Sequence, residues 1–417
     1  MDITVYLLLL AEAVLALALL HLSGVLKKPW HVLLSAGLLA LAFVLRGVCL
    51  DYETLDYQNF LAVWVDYFRQ NGGLAALKDN VGNYNVPYLT FLALFSQSAV
   101  KELYLIKLLS IFFDVVLAWG VMRIAGHFVK SAERQLLAFF LVLFWPTVIL
   151  NGALWGQCDS IYVALALLGL WLGLTDRPVL SVLCFALSFG FKLQAVFILP
   201  IMAVLWFRGS YKLWHFALFP AFYVLLVLPA VALGKPFLET LTLYTSQTGS
   251  IGTGLNYNSP SVYALFWRSP ETTDAANLGI AAAFTYMLML LIFCFLRRDR
   301  LSDRAVLTAA LLFVVGIPFL LPHMHERYFF GADVLSLVLG FACVPGIPAA
   351  LLTQFASLLG YHAYLKMRYL LYMDHGSRAL IGVILLGIVQ LLYDTAGETE
   401  KIPEPENSAL TNDENLL

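Results

Sequence analysis

Apolar runs long enough to cross a bilayer recur from residue 4 almost to Tyr393, and no water-soluble core accommodates such a series. The apolar runs cover 4–23, 31–50, 103–124, 135–150, 161–174, 179–189, 195–207, 213–233, 277–296, 305–321, 329–344, 349–365 and 379–392, of which 179–189 and 195–207 are short. They are continuously apolar, whereas barrel strands alternate, so they read as helices. The run 86–100 is short and carries Pro87, and it reads as re-entrant or peripheral. The first run has no cleavable small-residue pattern behind it and is expected to stay as a helix. The expected fold is an all-α polytopic membrane protein, one transmembrane domain over residues 1–395 with roughly 11–14 spans. Residues 396–417 are polar, include Pro403 and Pro405, and are expected to be a disordered tail.

With 61% hydrophobic and only 12% charged residues, the chain places few ionisable groups, and those near hydrocarbon need a reason. The net charge of −2 argues against a nucleic-acid partner. Cys49, Cys158, Cys184, Cys294 and Cys343 are scattered in or beside apolar segments and form neither a disulfide framework nor a metal motif. Basic loops orient the spans. If Lys27-Lys28 faces the cytoplasm, so do 123–134, Asp176-Arg177, 208–212 and Arg297-Arg298-Asp299-Arg300. The loops 51–85, 151–160, 190–193, 234–275 and 322–327 then face outside, with the N-terminus outside and the C-terminus inside; Lys366 and Arg368 run against this count. The 234–275 loop, rich in turn formers after Tyr244, is expected to be a mobile lid.

Every polar motif falls on that outer side. The first long loop begins Asp51-Tyr52-Glu53-Thr54-Leu55-Asp56-Tyr57, and Phe60, Leu61, Trp64, Tyr67 and Phe68 follow at helical spacing. This predicts an amphipathic helix at the membrane surface with Asp56 at its start, either as a first-turn carboxylate favoured by the helix dipole or as a functional group. Asp66 reads as solvated. Asn83, Tyr84 and Asn85 fit either a tight turn or a sugar contact. In Trp155-Gly156-Gln157-Cys158-Asp159-Ser160, Asp159 or Ser160 is expected to cap the following helix, with a site role open. In Phe191-Lys192-Leu193-Gln194 the lysine either snorkels to headgroups or binds a lipid phosphate. The most specific string is His323-Met324-His325-Glu326-Arg327, behind Pro322. It is not the metalloprotease H-E-x-x-H, and nothing obvious supplies a third zinc ligand. Its plain alternative is an interfacial helix end with a snorkelling arginine.

Taken in order, these motifs resemble the GT-C superfamily of polytopic glycosyltransferases. The resemblance spans about residues 51–330 and is nearest to dolichyl-phosphate-glucose glucosyltransferases and to the second GPI mannosyltransferase with its bacterial relatives. It implies a GT-C fold and inverting transfer of a hexose, mannose or glucose. The donor would be a polyprenyl-phosphate sugar and the acceptor a hydroxyl on a glycolipid or glycan, outside the cytoplasm. The loop-one aspartate of the family maps on Asp56, its Lys-Gln string on Lys192 and Gln194, and its histidine motif on His323 to Arg327. The chain departs from relatives in having Asn85-Val86-Pro87 where Tyr-Pro-Pro is usual. An inverting transfer needs a base for the acceptor proton, which makes Asp56 the catalytic candidate. The leaving phosphate needs cations or donors, which makes Lys192, His325 and Arg327 its candidates. Tyr57, Asn83, Tyr84, Gln157, Asp159, Gln194, His323 and Glu326 are the substrate-binding candidates. No cofactor is implied, and no Asp-x-Asp string is present to hold a metal. Short loops favour a bacterial cytoplasmic membrane over the endoplasmic reticulum. Competing readings are a lipid-linked sugar flippase, which should put its charges at mid-membrane, and a polysaccharide polymerase or ligase.

Overall fold

The structure, a computed structural model, describes residues 3–248, 254–266 and 273–396. The tail expected to be disordered and the centre of the loop expected to be a lid lie outside these residues. The helices are α1 (Ile3–Leu22), α2 (Pro29–Cys49), α3 (Ala62–Gln70), α4 (Val86–Phe95), α5 (Glu102–Phe128), α6 (Ala132–Leu143), α7 (Pro146–Ile149), α8 (Asp159–Leu174) and α9 (Pro178–Phe191). There follow α10 (Ile201–Phe207), α11 (His215–Ala232), α12 (Phe237–Leu241), α13 (Leu243–Thr248), α14 (Thr273–Leu296), α15 (Asp303–Leu320), α16 (Phe330–Ala342), α17 (Gly346–Lys366) and α18 (Met373–Ala396). Apart from 195–207, whose first half is a 3-10 turn (Leu193–Phe197) leading into α10, each of the thirteen apolar runs coincides with one of these helices or with a helix pair.

Seven of the described helices are long and apolar enough to cross a membrane: α1, α2, α5, α11, α14, α15 and α18. The pair α6–α7, bent by 47°, makes an eighth if it is one span. The apolar helices α4, α8, α9 and α16 are shorter. The fold is therefore all-α and polytopic. Burial divides the long helices into two groups. α15 and α5 are largely enclosed, whereas α1, α2, α11 and α14 leave most of their length at the surface. That surface carries Leu7, Leu33, Val48, Leu225, Leu278 and Met289, all exposed. A helix apolar on every face is stable only where hydrocarbon is the solvent.

At one end of the bundle a second apolar cluster, built from Tyr57, Leu61, Val65, Phe68, Val86, Tyr88, Leu92, Ile106 and Val227, seats the first long loop. The loop helix has a different phase from the one expected. Residues Tyr57–Leu61 form a π turn before α3, and the buried stripe is Tyr57, Leu61, Val65 and Phe68. Phe60 and Tyr67 are exposed. Asp66 lies at the surface, where it pairs with Arg69. The short α4 packs against α3, α5, α9 and α11, which fits the peripheral reading of the 86–100 run.

Candidate functional site

One π turn leads out of Asp56 and another, Leu150–Trp155, leads into Trp155. π turns change which way successive side chains point and concentrate at functional sites. Gly156 follows in the left-handed region, φ 80°, where only glycine sits without steric cost. The reversal points the Trp155 and Gln157 side chains at the same target. Trp155 Nε1 donates to Asp56 Oδ2 at 3.0 Å and Gln157 Nε2 donates to the same oxygen at 2.9 Å. The Asp56 backbone N–H donates to the Tyr364 hydroxyl at 3.1 Å. Tyr364 in turn stacks on Trp155, with ring centroids 4.0 Å apart and planes 10° apart. Asp56 is thus fixed by a platform of two aromatic rings and an amide, and Oδ1 takes no part in the bonds from Trp155 and Gln157.

Lys107, a fully buried lysine of α5, fixes the same loop from below. Its ammonium donates to the carbonyls of Cys49, Leu50 and Tyr52 at 2.8, 3.0 and 2.6 Å, closing the end of α2 shortly before Asp56. Lys107→Met leaves the Leu50 and Tyr52 carbonyls without this donor, while the Cys49 carbonyl keeps the Tyr52 N–H at 3.3 Å; an unsatisfied buried group costs about 1–3 kcal/mol. A lower melting temperature and a fall in turnover are expected together, read by thermal unfolding in detergent and by sugar transfer on the same preparation.

Asp56 opens on a cavity of about 560 Å³. Of the residues singled out in the sequence, Asp56, Asn83, Tyr84, Gln157, Lys192, Gln194, His325, Glu326 and Arg327 line it. Asp159 stands behind this wall and Arg327 joins the pieces. Its guanidinium lies 3.1 Å from Glu326 Oε1, 3.7 Å from Asp56 Oδ2 and 3.8 Å from Asp159 Oδ2, and it sits 5.3 Å from the Trp155 ring centroid. Burial works against this charge, but Glu326, Asp159, Tyr84 and Asp56 more than offset it and hold the Arg327 pKa well above its ordinary value.

Several expectations are corrected. Asp159 and Ser160 do not cap α8. The cap position is Cys158, Asp159 pairs with Lys192 and accepts from Asn151 at 2.8 Å, and Ser160 donates to Asp114. Lys192 does not snorkel, being only 5% exposed and paired with Asp159. The His323–Arg327 string is not a helix end. Met324–His325 forms a parallel strand pair with Asn256–Tyr257, and the Tyr257 ring stacks on His325 at 4.8 Å. His323 faces away from the cavity, its ring on the Gly254 carbonyl at 2.7 Å and its backbone in the left-handed region, φ 62°. Tyr57 also faces away, donating to Glu102 at 2.8 Å, a carboxylate that Arg69 meets from its other side. Burial, helped by Arg327, pushes His325 down to about 4, so at neutral pH it serves as a neutral donor or acceptor and not as a cation. Burial raises the carboxyl of Glu326, with Arg327 pulling the other way. Among the described residues no three His, Cys, Asp or Glu side chains converge as a metal site would require.

Tyr364, Tyr361, Asn151, Tyr244 and Tyr257 were not expected at or behind the site. Tyr361 and Tyr364 end an apolar helix three residues apart, and that spacing was the only available signal.

Residues 89–208 match the family model described as MptA_B family, alpha-(1->6)-mannopyranosyltransferase, N-terminal domain. No curated protein matches the chain. The matched segment contains Trp155, Gln157, Asp159 and Lys192, and ends short of the histidine string. The match fits the GT-C resemblance, and together with the all-helical polytopic architecture it makes the protein a membrane glycosyltransferase.

Proposed function

We propose that the protein transfers mannose from a polyprenyl-phosphate donor to an acceptor hydroxyl, with inversion, on the non-cytoplasmic face of a bacterial membrane. The observation that carries this reading is Asp56, a carboxylate oriented by two donors on the wall of the cavity and 3.7 Å from the Arg327 guanidinium. A base and a cation that close suit a reaction in which a hydroxyl loses its proton while a phosphate gains charge. The choice of mannose rests on the family model matched by residues 89–208. Asp56 takes the acceptor proton as the acceptor oxygen attacks the anomeric carbon. The bond from that carbon to the phosphate oxygen breaks, and its electron pair leaves on the lipid phosphate, which Arg327 and Lys192 stabilise. Asn83, Tyr84 and Gln194 offer amide and hydroxyl groups to the sugar. The membrane matters to both partners, since the donor's chain stays in the bilayer while its headgroup reaches the cavity.

The test uses sealed vesicles of both orientations containing the full-length protein, given radiolabelled polyprenyl-phosphate mannose or glucose with candidate glycolipid acceptors. Labelled acceptor of inverted anomeric configuration, made from mannose and only when the cavity side is supplied, is the expected result. Movement of intact donor between leaflets without transfer identifies a flippase, and chain extension on the label identifies a polymerase.

A further inference from the structure

Another cavity, of about 310 Å³ and polar, lies at the opposite end of the bundle. α5 begins with Glu102 beside Tyr57 and runs 27 residues, about 40 Å at 1.5 Å per residue. That exceeds the roughly 30 Å hydrocarbon core, so its two ends reach the two headgroup layers. The last turns of α5 and α8 and the first turn of α6 enclose the cavity. It is lined by Arg123, His127, Lys130 and Arg177 with Trp171 and Thr175, and no lining residue is acidic.

The cations differ in their pairing. His127 is taken by Asp303, which also holds Arg208. Lys130 donates to the Gly126 and His127 carbonyls at 3.4 and 3.3 Å. Arg123 and Arg177 have no carboxylate partner among the described residues. Arg123 is held by aromatic faces, its guanidinium 4.8 Å from the Trp171 centroid and 6.0 Å from that of Trp119. Its Nε is buried and has no hydrogen-bond partner. A basic loop that only obeys the orientation rule for membrane proteins would leave its arginines in water. Here a guanidinium is held against a pair of touching indoles with a donor unsatisfied, beside two further cations, at headgroup depth.

We infer that this pocket binds a phosphate group, with Arg123 and Arg177 donating to its oxygens and Lys130 acting as a point charge. The planar guanidinium fork suits a phosphate, and basic pockets between helices at the membrane surface take anionic lipid headgroups. The two sources of such a group, an anionic phospholipid and free phosphate, are separated by the experiment.

The full-length protein in neutral detergent is titrated with phosphatidylglycerol or phosphatidylcholine and read by native mass spectrometry. One phosphatidylglycerol is expected to bind preferentially, and R177Q and R123Q/R177Q to weaken it by about 10- to 30-fold. R177Q removes only an exposed side chain, so it reports even if the double variant folds poorly. Millimolar inorganic phosphate that displaces the lipid identifies the site as one for the free anion; failure to displace it identifies the headgroup. Equal retention of both lipids by the wild type, or unchanged binding in R177Q, overturns the proposal. So does an equal loss in R134Q, whose arginine lies outside the cavity, because that outcome marks diffuse attraction without a site.

Discussion

Asp56→Asn is expected to abolish sugar transfer while leaving donor affinity within a few-fold of wild type. Asparagine keeps the size of the side chain and still accepts from Trp155 and Gln157, whose donors sit 3.0 and 2.9 Å from Oδ2. It cannot take a proton from the acceptor, and loss of a general base typically costs about 10²–10⁴ in rate. Single-turnover transfer and donor binding on the same preparation separate the two effects. Asp66→Asn is the control, since Asp66 pairs only at the surface with Arg69 and lies on the solvent side of α3. Near-wild-type transfer by Asp56→Asn removes Asp56 from the mechanism.

Arg327→Ala is expected to damage folding and donor binding together. The side chain is 14% exposed, and three carboxylates converge on it. Removing one partner of a buried ion pair costs about 3–5 kcal/mol, because the remaining charge stays desolvated. A depressed melting temperature and a lost donor affinity follow from the same deletion. Arg327→Lys separates them: it restores the charge and much of the stability, but not the flat guanidinium that reaches Glu326, Asp56 and Asp159 at once. Donor affinity should therefore stay well below wild type in the lysine variant, measured by direct binding alongside thermal unfolding. Full recovery of affinity by lysine would show that charge alone was needed.

The number of spans was overread, since seven or eight of the described helices are long and apolar enough to cross a membrane against the 11–14 expected. The helices were legible because an apolar run carries its own instruction in a membrane, where the backbone must bond to itself. All thirteen runs are helical for that reason. The motifs were legible as rare polar strings, and Asp56, Gln157, Lys192, Gln194 and Arg327 do share one cavity wall. What escaped depends on distant partners. His323–Arg327 reads locally as a helix end, yet it is extended because Asn256–Tyr257, about seventy residues earlier, pairs with it. Lys192 reads as a lone surface cation until Asp159, on another helix, supplies its counterion. Of the buried stripe of the loop helix, Leu61 and Phe68 were legible in the apolar spacing, whereas Tyr57 and Val65 were not, and Phe60 and Tyr67 are exposed. Tyr57 and His323, both named as contacts, turn toward Glu102 and the Gly254 carbonyl instead.

The pairing inside the cavity also bears on how the reaction ends. Lys192 and Arg327 are already balanced by Asp159, Asp56 and Glu326 before any substrate arrives. In the proposed reaction an incoming phosphate would share these cations with resident carboxylates, and so would the more highly charged lipid phosphate left after transfer. A grip weakened by internal competition would let that spent carrier leave, sparing the proposed cycle a product that would otherwise become its own inhibitor.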